Sequence, residues 1–334
     1  MPPPKFAFVG DPASVSPWLL RAIAQAGVFE AICDHDAEQQ IGRWHARWAF
    51  TEIGEMLREA EPDGVVLSMP LSGRTPLIKQ CLTAGAGVLV AGPPGAASAC
   101  GRLALFAKLA GQLVMAAPAI RFSPSVLLAR RLLDSGKFGP PISMALHSTH
   151  RASTAQDSPQ AVPISADQVF EAADLVHHLV GPIERAFSSA HADGAMTVSA
   201  VSKDGVALAM VFHANGMADA VGIDLELRAA DGTRLTIDRN GSLDCVNGSR
   251  VGACHRVALG SAEPGVELGY DGLVAEFRRH LEARRSGSGL VGAAGAVTAS
   301  VEAILGSAAK GRAMIPKSSG RAGGSTATRP VKIG

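Results

Sequence analysis

The sequence predicts an α/β protein: an N-terminal doubly wound parallel sheet of Rossmann type, followed by an α+β part with an open, mainly antiparallel sheet. Two observations carry this. Up to about residue 135, short apolar runs alternate with helical patterns, as parallel strand–helix units require. Past Gly139-Pro140-Pro141, strands follow one another through short turns, which implies antiparallel pairing. The expected division is 1–122 for the dinucleotide-binding-like part, 123–316 for the second part, and 317–334 for a small, polar, disordered tail.

The first unit sets the pattern. Phe6–Val9 is a buried-type strand and Gly10 breaks it. Ser16-Pro17 supplies an N-cap and a first-turn proline. Trp18, Leu19, Leu20, Ile23 and Ala24 form the apolar stripe of a helix that stops at Gly27. A second strand, Val28–Cys33, ends on Asp34. Strand, turn, helix, strand and acid is the plan of a dinucleotide-binding unit, and Asp34 stands at the spacing of a ribose-binding carboxylate. The turn reads Gly10-Asp11-Pro12-Ala13-Ser14-Val15 and keeps only the first of three expected glycines. Pro12 removes a backbone donor, and Asp11 adds negative charge where a pyrophosphate would come.

The alternation continues through Trp48–Phe50, a helix from Glu52 to about Ala60, and a strand at Val65–Ser68. A helix over Thr75–Ala84 and a strand at Val88–Ala91 come next. The loop Gly92–Gly95 leads to a helix through Leu105 and Lys108, a strand at Leu113–Ala116 and a helix over Ser123–Ser135. In the second part, strands are expected at Ile142–Thr149, Arg185–His191, Met196–Ser202, Val206–His213 and Val221–Arg228. Asp231-Gly232 turns the last of these into Thr233–Asp238 as a hairpin. Helices follow at Tyr270–Arg284 and about Gly292–Leu305.

Composition excludes several functions. The 31 basic and 30 acidic residues nearly cancel, and aromatics are 4%, so neither a nucleic-acid surface nor a base-stacking platform is expected. The cysteines at 33, 81, 100, 245 and 254 lack CxxC or metal spacing and read as buried free thiols. No apolar stretch is expected to reach transmembrane length and the N-terminus lacks a signal-peptide core, so a cytoplasmic protein is expected.

The order of elements over roughly Lys5 to Pro316 resembles the Gfo/Idh/MocA oxidoreductases. Asp34 ends the second strand as that family's ribose acid does. Ser68-Met69-Pro70 matches the strand end beside the nicotinamide, and Pro76 the proline opening the next helix. Arg121-Phe122-Ser123-Pro124 and Ser307–Arg312 match two further stretches. The resemblance implies NAD, a small sugar-like or polyol-like substrate, and a homo-oligomer built through the second sheet. It assigns Gly10, Asp34, Ser68, Pro70, Gly92 and Arg121 to the cofactor side. Arg121 reads equally as a phosphate or substrate contact and as the partner of a carboxylate. The family's lysine falls at Gly92 and is absent, its asparagine falls at Leu71, a family histidine falls at Arg74, and its Asn-Arg falls at Ala119-Ile120.

The helix Ala166–Val180 carries the catalytic candidates. Ser165 and Gln168 make a capping box, and Gly181-Pro182 ends it. At 100° per residue Asp167, Glu171, Asp174 and His178 share one stripe. His177 lies off it and reads as a surface or interface residue. By resemblance Asp167 is the substrate-facing acid, and Glu171 takes the place of the acid–base histidine. Asp167 sits in the first turn, where the helix dipole favours its anion. Glu171 lies a turn deeper beside a like charge, which raises a carboxyl's affinity for its proton. The same stripe has metal-ligand spacing without a second ligating segment, and no metal is expected. His147, His150 and Arg151 lie at a strand end near the expected cleft. Two functions fit these residues: an NAD-dependent oxidoreductase with a rebuilt site, or an inactive relative serving as a ligand-binding or partner subunit.

Overall fold

The computed structural model describes residues 2–11, 15–90, 92–116, 118–151, 164–191, 194–215, 222–239, 241–246, 254–257, 268–283 and 288–317. The expected tail beyond Lys317, Pro12–Ser14 of the turn and Ala91 lie outside them.

Five apolar runs form parallel strands because both their faces are covered. These are β1 (Lys5–Val9), β2 (Val28–Cys33), β4 (Gly64–Leu67), β5 (Gly87–Val90) and β6 (Val114–Ala116), with β3 (Trp48–Phe50) at the edge. The order is β3-β2-β1-β4-β5-β6. Phe6 and Phe8 of β1 face one core, with Leu20, Ile23 and Phe277, while Ala7 and Val9 face the other. The helices between them are α1 (Pro17–Ala26), α2 (Ala37–Trp44), α3 (Ile53–Glu59), α4 (Leu71–Thr83) and α5 (Ala97–Ala110). Because β2 and β4 flank β1, the chain reverses direction across the sheet there. The crevice outside the strand ends at such a switch point is where open α/β sheets bind ligands.

After a 3-10 turn at Ala119–Phe122 and α6 (Pro124–Asp134), the second sheet begins with β7 (Pro141–Arg151). The helix α7 (Ala166–Val180) precedes β8 (Ile183–Ala190), β9 (Met196–Ser202), β10 (Ala207–Asn215), β11 (Gly222–Ala229) and β12 (Arg234–Ile237). β13 (Leu243–Val246) and β14 (Cys254–Val257) extend it to the order β14-β13-β12-β11-β7-β10-β9-β8. Only the β7–β10 pair is parallel among these neighbours. β11 alternates as its sequence does, burying Ile223, Leu225 and Leu227. At the Asp231-Gly232 turn the Thr233 N–H donates to Asp231 Oδ1 at 2.9 Å.

Two helices return to the first sheet. α8 (Tyr270–Glu282) packs on α1 and brings Phe277 to 6.1 Å from the Phe6 ring. α9 (Ser288–Lys310) packs against α5, α7 and β8, and Met314 beyond it exchanges two backbone hydrogen bonds with Ala186.

Several expectations need correction. α4 begins at Leu71, not Thr75, so Pro76 lies inside the helix rather than opening it. Standing sixth in the helix, Pro76 removes the i→i−4 hydrogen bond that would reach the Ser72 carbonyl. α2, β13 and β14 were not expected, because their short polar sequences lack apolar periodicity. A stretch does reach membrane-spanning length: Gly292–Lys310 has 19 residues and a mean hydropathy of 1.2. It is a core helix, with Val297, Val301 and Ile304 buried between both sheets' layers. Cys33, Cys81 and Cys100 are buried free thiols, and Cys245 is partly buried.

Candidate active site

Gly10, Asp34 and Ser68 meet at the carboxyl ends of β1, β2 and β4. The Gly10 N–H donates to Cys33 O at 3.1 Å, and the Ser68 N–H to Val9 O at 2.9 Å. Gly10 has φ +129°, and a Cβ there would overlap the Ser68 carbonyl oxygen. Glycine is therefore required for the two strand ends to touch. Asp34 lies at the rim, its side chain 11% exposed, with Oδ1 3.0 Å from His35 Nδ1. The far nitrogen of that ring is 3.1 Å from Asp36 Oδ2. The two aspartates, with Asp11, raise the His35 pKa above its ordinary value. A carboxylate at the switch point and a glycine where backbone must come close fit the ribose end of a dinucleotide.

Ser68 is half-buried and Pro70 exposed at the mouth of the loop after β4, while Gly92 is buried after β5. Between these loops stands the guanidinium of Arg74, from the first turn of α4. Its Nε donates to Met69 O (2.8 Å) and its Nη1 to Pro93 O (2.9 Å). Nη1 and Nη2 also donate to Asp167 Oδ1 and Oδ2, both at 2.6 Å. Arg74 is nearly buried and Asp167 about half exposed.

α7 forms as its capping box dictates: the Gln168 N–H donates to Ser165 Oγ and the Ser165 N–H to Gln168 Oε1. Its polar stripe is not simply solvated. Asp174 is 1% exposed and takes Arg121 Nε at 2.8 Å and Arg121 Nη2 on its other oxygen. Arg121 thus pairs with a carboxylate while remaining a quarter exposed. Burial pushes the Asp174 carboxyl up to about 6, opposed by Arg121. Glu171 stands between the two pairs. Burial, then the charges of Asp174 and Asp167, push its carboxyl up to about 7. His177, expected at a surface or interface, is partly buried against α9. Its Nε2 lies 2.9 Å from Ser300 Oγ of α9 and accepts from the Ile183 N–H at 3.4 Å. Burial lowers His177 and His178 to about 4, so both are neutral at pH 7. His147 is exposed on β7, and the side chains of His150 and Arg151 lie outside the described residues.

Sequence reasoning missed two groups. Arg74 was passed over as a histidine replacement, although Gly92 opposite it left room for a long side chain. Tyr270, the chain's only tyrosine, opens α8. Its phenol is pushed up to about 12 by burial and by the Glu171 charge, opposed by a hydrogen bond with Ser16. It is a neutral hydroxyl near Glu171 at the start of α1.

Neither a protein-family model nor a curated protein matches the sequence. Solved structures do. An oxidoreductase from Agrobacterium radiobacter, in complex with NAD+, L-tartaric acid and magnesium, superposes with a TM-score of 0.77. It is 14% identical, with 94% of this chain and 98% of that one covered. The fold is that of the Gfo/Idh/MocA-type oxidoreductases. Levoglucosan dehydrogenase, in complex with NADH and L-sorbose, matches at TM-score 0.79 and 15% identity over 95% and 100% of the two chains. A putative myo-inositol dehydrogenase from Sinorhizobium meliloti 1021 matches at 0.74 and 17% over 94% and 99%.

Proposed function

We propose that this protein is an NAD-dependent oxidoreductase acting on a small sugar-like or polyol-like molecule, with Glu171 moving the proton. The observation that carries this is the charge pattern on α7: Glu171 sits near neutrality between Asp167 and Asp174, each held by an arginine fork. A bound nicotinamide would supply or accept the hydride. In this reading Asp34 holds a ribose hydroxyl, Gly10 lets the backbone come close, and Ser68, Pro70 and Gly92 border the nicotinamide end. Arg121 braces the cofactor side through Asp174. Asp167 is the fixed anion facing the substrate. Residues 1–122 carry the cofactor and 123–316 the substrate and the assembly surface. The outer face of the second sheet, with Ala145 and His147 on β7 and Val211 and His213 on β10, joins copies into a homo-oligomer.

A general acid or base with a pKa near the working pH is worth about 10²–10⁴-fold in rate. Glu171→Gln keeps shape and removes titration, so turnover is expected to fall at least ~100-fold with ligand affinity nearly unchanged. The acidic limb of the oxidation profile is lost with it. With no lysine at Gly92, turnover of simple sugars or inositols with NAD is not expected. Titrating NADH and NADPH while following nicotinamide fluorescence tests the cofactor. NADH is expected to bind in preference, weakened about 10- to 150-fold by one missing phosphate donor. Tighter NADPH binding, unaffected by Asp34→Ala, would overturn the assignment. The Gly10 N–H, already committed to Cys33 O, favours a second reading as a ligand-binding or partner subunit. Absence of binding by either nucleotide at millimolar concentration selects that reading.

A further inference from the structure

Gly92 and Arg74 are two halves of one arrangement. A Cβ at position 92 would overlap Asp167 Oδ1 and lie 2.9 Å from Arg74 Nη1. The volume that any side chain at 92 must enter is filled by the Arg74–Asp167 fork. That fork is anchored as well as charged, since Arg74 also ties the loops after β4 and β5 through Met69 O and Pro93 O. With four donor contacts already made in a nearly buried position, Arg74 is poorly placed to bind a substrate. Its neighbour on the stripe is different. Glu171 is the acid of the stripe to which neither arginine fork is directed.

We infer that Arg74 is the positioning residue of this site: it offsets part of the charge of Asp167 and so reserves proton exchange for Glu171. The inference rests on the oxidoreductase reading for its purpose, but its electrostatics need neither cofactor nor substrate. Among the described residues, the titratable groups acting on Glu171 are Asp167 and Asp174 on its own helix and Tyr270 on α8. Arg74 and Arg121 act on it through the two aspartates. Tyr270 is neutral at pH 7, and Asp174 keeps its arginine in every variant below.

A charge left uncompensated within several ångströms moves a buried carboxyl by about one pH unit. Arg74→Met strands the Asp167 anion beside Glu171, so the Glu171 midpoint is expected to rise by about one unit. Asp167→Asn strands the Arg74 cation instead, and the midpoint is expected to fall. The double variant removes both charges and returns it to within about half a unit of wild type. Arg74→Lys keeps the charge and stays equally close.

The measurement is a ¹³C NMR titration of glutamate side-chain carboxyls in the full chain, with the Glu171 signal assigned by its loss in Glu171→Gln. An unmoved midpoint in Arg74→Met overturns the inference. So does a double variant that fails to restore it, or an Arg74→Lys shift as large as that of Arg74→Met. Should Arg74→Met not fold, Asp167→Asn and Arg74→Lys still decide. The titration is run without nucleotide, so failure to bind NADH would leave this result standing.

Discussion

Glu171 ties stability to pH through its raised proton affinity. An unfolded glutamate titrates near 4.5, and the folded group near 7. The folded state therefore binds the proton more tightly, and the stability this provides is complete below pH 4.5 and lost as pH rises to about 7. Glu171→Gln, which never ionises, is expected to be more stable than wild type at pH 8 by about 1–3 kcal/mol, and no more stable at pH 4. Urea unfolding at the two pH values checks it. His35 gives a second pH effect, on cofactor choice. Asp34 and Asp36 raise its pKa, and the protonated ring offsets both carboxylates. As pH rises and the ring loses its proton, the aspartates repel a 2′-phosphate fully. The preference for NADH over NADPH is expected to widen as pH rises and His35 loses its proton, and His35→Ala to remove that widening, as read by fluorescence titration. Asp34 was legible as an acid at a set spacing from Gly10. Its partner His35 was not, because nothing in periodicity shows which ring folds back on a carboxylate.

At the scale of elements, α9 holds the two sheets' layers together. Ile304 is fully buried, and the carbonyl of the same residue accepts from Ser188 Oγ on β8 at 2.6 Å. Ser307 Oγ takes the Ser188 N–H at 3.0 Å, and Glu302 Oε1 takes the Ala97 N–H that opens α5. Ile304→Ala is expected to cost about 2–5 kcal/mol, seen as a lower urea midpoint with an unchanged slope. α7 was readable in detail: capping box, glycine stop and the stripe of Asp167, Glu171 and Asp174. What its stripe faces was not. Asp174 looked as solvated as Asp167, yet one is enclosed by Arg121 and the other remains half open.

For the whole molecule, the exposed face of the second sheet sets the expected assembly. Its outward positions on the two central strands are Ala145, His147 and Thr149 on β7 beside Ala209, Val211 and His213 on β10, with the charged Asp224, Glu226 and Arg228 of β11 alongside. Val211→Arg places a charge at the middle of that face, and the protein is expected to shift to monomer in sedimentation velocity while keeping its circular dichroism spectrum. Such a desolvated charge costs several kcal/mol across an interface.

The sequence alone determined the parallel first sheet, the change to antiparallel strands after Pro141, and the residues at the strand ends. These follow from local patterns, because strand burial, helix stripes and caps are written in neighbouring residues. Only the tertiary structure decided what those residues do to one another. Arg74 and Asp167 are 93 positions apart, and Arg121 and Asp174 are 53. Their pairing, the reason for Gly92 and the burial that carries the Glu171 carboxyl to about 7 depend on distances of a few ångströms that no local spacing encodes, whereas the like charges beside Glu171 were already legible on the helix.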